Sequence, residues 1–549
     1  MGLSHSRGHR RMSGSDQEQE ESGNQRYNLR SNARSGGDDD EADLSSIVAY
    51  LIRSGQIRFI SRDTGDSDSD NSSDCEFVAP SRAPIPDLNP DVKNLKKSDI
   101  FTAVMRSSGR WSDKRWLTMM KPTVPNMLVK RELGLNRQQQ FSHGDQCLLN
   151  SKYLPNKMEK ICSYHHKAFC GSYSADGNVF LSACQDQHLR VYDTSDDEFK
   201  VIKCIRARDV GWSILDTAFS PDGRYAAYSS WSDCIHISNI YGDHDIHEAL
   251  HLNPGDHSFC IFSLMFSYDN KEILGGANDG NIYVYDREAN KRTLKIDAHD
   301  DDVNTVRFAD FSSQILYSGG DDGLCKVWDR RTLREERPIP VGVLAGHSDG
   351  ITYIDSKGDA RFFISNSKDQ TLKLWDVRCF SDQTGVEETK KVVSSQRWDY
   401  RWQQVPRRMA RKKELKGDTS VMTYRGHCVL HTLIRCKFSP ETSTGQRYVY
   451  SGCATGSVVV YDLLTGQVAC RLEGHNSCTR DVSWHPYKNT IISTSWDGTL
   501  GRWYYHDHAA RGTDPDEVSM RCEGRGESLR RKIALVNPRK EKSFPALFD

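Results

Sequence analysis

Residues 346–376 read GHSDGITYIDSKGDARFFISNSKDQTLKLWD. A Gly-His pair opens the stretch. Short alternating runs follow, separated by turns of Gly, Asp, Lys and Ser, and the stretch closes on LWD. Period-2 alternation bounded by such turns is the signature of short, half-buried strands. The ending recurs along the chain as VYD (191–193), ISN (237–239), VYD (284–286), VWD (327–329), LWD (374–376), VYD (460–462) and RWY (502–504). Successive endings lie 46, 47, 43, 47, 86 and 42 residues apart. Other elements keep the same phase. Gly346-His347, Gly426-His427 and Gly474-His475 open three units, and Ala298-His299 opens another. FSPDG (219–223), YSADG (173–177) and FSYDN (266–270) mark a first hairpin turn. SGGDDG, SNSKDQ, SGCATG and STSWDG mark a later one.

Four short strands repeated every 40–45 residues or so resemble the WD40 propeller family over roughly 161–508. Seven endings imply seven blades. The spacing of 86 is one blade plus about 40 extra residues at that period. No second ending or Gly-His pair stands between 380 and 422, so an insertion is preferred to an eighth blade. The expected fold class is all-β: a seven-bladed WD40 β-propeller with a disordered N-terminal arm and short pre-propeller helices. In that family a His, a Ser or Thr, a turn Asp and the closing Trp form a hydrogen-bonded tetrad. The resemblance carries it to His299, Ser318, Asp322 and Trp328, to His347, Ser365, Asp369 and Trp375, and to His475, Ser493, Asp497 and Trp503. Blade six departs, with Thr455 in the Asp position and Tyr461 in the Trp position. Blade two is the most degenerate. These tetrads are expected to be structural, because a buried Asp needs partners for its oxygens. Ring closure needs one more strand, for which 146–154 is the first choice and 533–536 the second.

The chain has 549 residues and a net charge of −1, which excludes a uniformly basic nucleic-acid binder. The neutrality is a mosaic. Residues 1–90 carry 16 acidic and 10 basic residues, whereas 91–163 carry 6 and 14. The first region cannot bury enough apolar surface to fold alone. It still holds a helical stripe at 43–54 (Leu44, Ile47, Val48, Leu51, Ile52), suited to a groove or to its own domain. Ser67 and Ser73 each have an acidic residue at +3 and are candidate phosphorylation sites. Met1-Gly2 with Ser6 fits the loose acylation pattern. The second region reads as short basic helices, with Ser98 as a cap ahead of Ile100, Phe101, Val104 and Met105 and with Gly109 as a stop. A basic tail, 509–549, ends the chain. Sixteen Cys without a Cys-x-x-Cys pair point to a reducing compartment, and no metal or other cofactor is expected. No run of 18 apolar residues predicts a membrane span.

Three motifs compete for function. His247, Glu248 and His251 spell H-E-x-x-H, a zinc-protease signature only on a helix. Asn253, Pro254 and Gly255 would break such a helix, so a His-rich loop between blades is expected instead. The insertion interleaves Arg397, Arg401, Arg407, Arg408, Arg411, Lys412, Lys413 and Lys416 with Trp398, Tyr400 and Trp402. Residues 407–413 suit nuclear import or an acidic protein partner better than nucleic acid.

The third motif is a doubled W-D-x-R: Trp328-Asp329-Arg330-Arg331 and Trp375-Asp376-Val377-Arg378. Its Arg pair resembles that of the WD40 substrate receptors of cullin-4 RING ubiquitin ligases. The resemblance implies that Arg331 and Arg378, with the boxes that hold them, contact the propeller adaptor linking receptor to cullin. It also implies that helices within 98–135 enter the adaptor's cleft. The competing reading pairs each Arg with its own blade's Asp. The function expected is therefore a non-enzymatic substrate receptor that presents protein substrates for ubiquitination, in nucleus and cytoplasm. A nuclear WD40 scaffold binding chromatin or RNA through the insertion is the alternative, and a metal hydrolase through 247–251 is a third.

Overall fold

The computed structural model describes residues 84–111, 123–134, 140–253, 258–406, 409 and 415–507. The stripe at 43–54, Gly2, Ser67, Ser73, the basic residues Arg407, Arg408, Arg411, Lys412 and Lys413, and the tail lie outside them.

Seven four-stranded antiparallel sheets form the propeller. Blades one to six span 168–206, 216–251, 261–297, 303–344, 351–425 and 436–473. The first strands of adjacent blades pack against each other around the axis. The repeated first turn has a side-chain cause. In FSPDG the Ser220 hydroxyl donates to Asp222 Oδ1 at 2.5 Å and accepts from the Tyr225 N–H, and Gly223 takes φ +69°. Ser174 with Asp176 and Ser267 with Asp269 repeat the device.

The strands define two ends of each blade. In blade five Ile351 pairs with Ser367, whereas Phe362 pairs with Asp376. The blade-opening His347 therefore lies at one end, the opening face. The W-D-x-R boxes lie at the other, the exit face. The insertion leaves from the exit face after Asp376 and returns as the fourth strand, Met422–Arg425.

Closure differs from expectation. The outer strand of blade seven is Lys157–Ser163, which pairs with Thr499–Tyr504 from Lys157↔Tyr504 to Ser163↔Thr499. Most of 146–154 is instead the end of a helix, His143–Asn150. Ser142 starts it with a capping box: its hydroxyl accepts from Asp145 N–H, and Asp145 accepts from Ser142 N–H. That local signal overrides the β-compatible run of Cys147, Leu148 and Leu149. The second choice, 533–536, lies outside the described residues.

Among the described residues four short helices precede the closing strand: α1 (Lys93–Lys97), α2 (Asp99–Ser107), α3 (Val124–Glu132) and α4 (His143–Asn150). Ser98 stands at the N-cap of α2, but its hydroxyl makes no capping bond. Gly109 sits at φ +70° beyond the end of α2. A side chain there would collide with the Gly144 backbone in α4. Leu95, Ile100 and Val104 are buried in the propeller's largest apolar cluster. Helices α1 and α2 are therefore part of the core.

Across the central channel the fully buried Arg435 of blade six binds Asp216 of blade two at 2.6 Å and Asp481 of blade seven at 2.9 Å. Burial alone would raise the Asp481 carboxyl, but Lys437 and Arg435 hold it down at about 2. The fourteen described cysteines are all free. No helix among the described residues is long and apolar enough to cross a membrane.

Trp503 is fully buried opposite Met158 of the closing strand. Trp503→Ala is expected to cost about 3–5 kcal/mol in urea unfolding. It should also speed amide exchange specifically over 157–163. Unchanged protection there would refute closure by this strand.

Candidate functional site

The tetrads are complete in blades four, five and seven. In blade five the Trp375 indole N–H donates to Ser365 Oγ at 2.7 Å. The Ser365 hydroxyl meets His347 Nε2 at 2.7 Å, and His347 Nδ1 meets Asp369 Oδ2 at 3.0 Å. Blade four repeats the chain through Trp328, Ser318, His299 and Asp322, at 2.9, 2.8 and 2.9 Å. Blade seven repeats it through Trp503, Ser493, His475 and Asp497, at 2.7, 2.7 and 3.2 Å. Two members escaped the sequence reading: the Thr371 and Thr499 hydroxyls also donate to Asp369 and Asp497. Their signal was a Thr two residues after the turn Asp. Every side chain in these chains is engaged, and all but the half-buried Asp497 are buried within the blades.

Degenerate blades substitute other bonds. In blade six the Tyr461 hydroxyl meets His427 Nδ1 at 2.8 Å, and His427 Nε2 reaches Asn366 of blade five at 2.7 Å. Burial lowers His427 to about 4, so it stays neutral. In blade one Tyr164 stands in for the His and bonds Ser182 at 2.8 Å.

The exit face carries both W-D-x-R boxes. Trp328 and Trp375 are buried, while the side chains of Arg331 and Arg378 are 65% and 58% exposed. Arg331 binds its own Asp329 through two bonds, of 2.9 and 2.6 Å. Those hydrogen bonds hold the Asp329 carboxyl below its ordinary range. Arg378 reaches Asp376 at 3.3 Å and, at 3.0 Å, Asp99 at the start of α2. Arg361 bridges the same two carboxylates at 2.8 and 2.9 Å. The competing reading, Arg paired with its own blade's Asp, thus describes the isolated chain. The pairing leaves both guanidinium groups on the surface.

Helices α2 and α4 share this face. The Ser107 hydroxyl donates to Gly445 O at 2.7 Å in the first turn of blade six. Asn150 of α4 donates to Ser443 O at 2.9 Å in the same turn. α3 buries Met127 but leaves Leu128, Val129 and the adjoining Leu133 exposed.

The insertion takes the opposite course. Its helix α5 (Gln383–Ser394), N-capped by Asp382, lays Thr389 and Val393 against Gly323 of blade four. Beyond it, Trp398 donates to Asp349 Oδ2 at 2.9 Å, and the Lys368 ammonium sits 4.3 Å from the Tyr400 ring centre. These partners stand on the opening face. Trp402 is 64% exposed there, and residues 407–413 follow it in sequence.

H-E-x-x-H is not on a helix, nor in a loop as expected. His247–His251 is the fourth strand of blade two. Four residues of strand separate the two His by about 13 Å, too far for one zinc ion. Their neighbours differ accordingly: His247 meets the Tyr228 hydroxyl, and His251 meets Cys234.

The WD domain, G-beta repeat model matches 158–193, 251–286, 290–329, 338–376 and 466–503. A DDB1- and CUL4-associated factor 11 homolog of Caenorhabditis briggsae is 43% identical over 66% of this chain and 67% of its own length. The Caenorhabditis elegans homolog is 44% identical over 66% of this chain, which spans only 64% of that relative. The chain belongs to the DDB1- and CUL4-associated factor 11 family of WD40-repeat proteins. The LEC14B protein of Lithospermum erythrorhizon, 40% identical over 81% of this chain and 94% of its own length, is a further relative.

Burial alone would raise the Asp369 carboxyl, but His347 and Thr371 hold it well below the ordinary carboxylate range. Asp322 and Asp497 are lowered in the same way by His299 and His475. With the folded-state values depressed, the stabilisation is full above about pH 4 and is lost as the pH falls below it. Asp369→Asn should cost about 3–5 kcal/mol at neutral pH. It should also flatten the fall in urea midpoint between about pH 5 and pH 3. An unchanged acid slope would refute the assignment.

Proposed function

We propose that this chain is the substrate-recognition subunit of a cullin-4 RING E3 ubiquitin ligase and docks the ligase's adaptor propeller through its exit face. The observation that carries the reading is the placement of Arg331 and Arg378. They are exposed on adjacent blades, on the same face as helices α2 and α4. The names of the Caenorhabditis relatives, which speak of association with DDB1 and CUL4, support it. A planar guanidinium already oriented by its own Asp loses little freedom when it meets a carboxylate or carbonyl of the partner. Leu128, Val129 and Leu133 supply an apolar ridge for the adaptor's cleft. The opening face, partly covered by the insertion, is left for the protein to be ubiquitinated.

The chain contributes proximity rather than chemistry. Holding a substrate Lys near a charged conjugating enzyme turns a bimolecular transfer into a local one. Nucleus and cytoplasm are the proposed locations. A second reading, a nuclear scaffold contacting RNA or chromatin, draws on the exposed Trp402 beside Arg401. Salt-sensitive RNA binding lost on neutralising 407–413 would favour it.

Pull-down of the cullin-4 adaptor with the full chain tests the first reading. Arg331→Ala with Arg378→Ala should reduce recovery roughly tenfold or more. Asp99→Asn, which breaks the tie to α2 and leaves both Arg in place, separates loss of the boxes from loss of the helix. Full retention by the double variant would overturn adaptor docking through the boxes.

A further inference from the structure

Blade two has no tetrad. Tyr228 stands where blades four, five and seven carry the small hydroxyl, and Ser238 stands where they carry Trp. At the opening end of this blade lies another group of side chains. The third strand, Cys234–Asn239, begins opposite the end of the fourth, and Cys234 and His251 are cross-strand partners. Cys234 Sγ lies 2.9 Å from His251 Nδ1 and 3.2 Å from Asp233 Oδ1. The sulfur, the imidazole nitrogen and the carboxylate oxygen all lie within 4.8 Å of one another. No other group among the described residues brings together three such ligand atoms.

We propose that Asp233, Cys234 and His251 form a zinc site with an open fourth position. One thiolate, one imidazole and one carboxylate suit zinc, whose bonds to S, N and O run about 2.0–2.3 Å. Ligand atoms around a tetrahedral ion of that size stand roughly 3.2–3.6 Å apart. The two Cys234 separations, 2.9 and 3.2 Å, lie at or just below this range, and all three ligand atoms stand within 4.8 Å of one another, so side-chain rotation seats the ion. Two of the ligands come from one hydrogen-bonded strand pair, which holds them without an ion. Asp233 and His251 are exposed and give access, while Cys234 is buried beneath them.

Metal binding would release the Cys234 thiol proton to solvent, so that two anions face one dication. His251 also lines a cavity of about 400 Å³ together with Asn253, Tyr285, Lys291 and Arg292. Its two cations suit water or a small anion as the last ligand. H-E-x-x-H thus supplies one ligand, His251, and the other two lie 17 and 18 residues earlier. Sequence spacing alone hid the group.

Cobalt is the probe. Titration of the metal-free full chain should give a thiolate-to-cobalt charge-transfer band that saturates at one ion per chain and is displaced by zinc. Cys234→Ser should abolish the band, and His251→Gln should weaken binding roughly tenfold or more. Cys204→Ser, at an exposed thiol in blade one, should leave it intact. Zinc should raise the melting temperature of the native chain but not of either site variant. His251→Gln changes an exposed residue and keeps the test decisive if Cys234→Ser folds poorly. Absence of the band in the native chain, or its survival in Cys234→Ser, would overturn the site.

Discussion

Seven sheets close into a ring only if the last one borrows a strand from the beginning of the chain. Without Lys157–Ser163, the strand Thr499–Tyr504 would present an unpaired edge, open to other chains. The register of that borrowed strand constrains what precedes it. Lys157 pairs with Tyr504, and Asn156 donates to Tyr504 O at 3.0 Å, so the chain enters at the exit face. Helices α1, α2 and α4 consequently lie on that face, where Leu95, Ile100 and Val104 find apolar cover. The W-D-x-R boxes end their blades there too. One closure geometry thus gathers the arginines and the helices onto a single surface.

The repeat was legible because it is written several times. One VWD ending proves little, but seven endings in phase, with Gly-His openings and S-x-D turns, overdetermine the blade. The insertion within blade five was legible for the complementary reason, a missed beat. Closure was not, because it occurs once and has no repeat to check against. The run Cys147-Leu148-Leu149 suits a strand, and only the Ser142–Asp145 capping box, a local signal, tips it into a helix. The loop expected for His247–His251 failed similarly, because the segment is the fourth strand of its blade. Three tetrads were readable to the residue. The substitute bonds made by Tyr164, Tyr461 and Asn366 were not, because they use different chemistry, and in one case reach from a neighbouring blade.

The two W-D-x-R arginines share a motif but not a setting. Among the described residues Arg331 has one carboxylate partner, Asp329, on its own blade. Arg378 shares Asp376 and Asp99 with Arg361, so two guanidinium groups and two carboxylates form one cluster. Exposed ion pairs taken singly contribute little. A cluster that joins α2 to the third-strand exit of blade five does more: it couples the orientation of Arg378 to the seating of the helix. A partner engaging this face would thus meet one arginine set by its own blade and another whose position depends on α2. Removing Arg378 perturbs the helix as well as the contact, whereas removing Arg331 perturbs the contact alone. If both boxes serve one partner, the Arg331 variant isolates the direct contribution, and the difference between the two variants measures how far the helices assist.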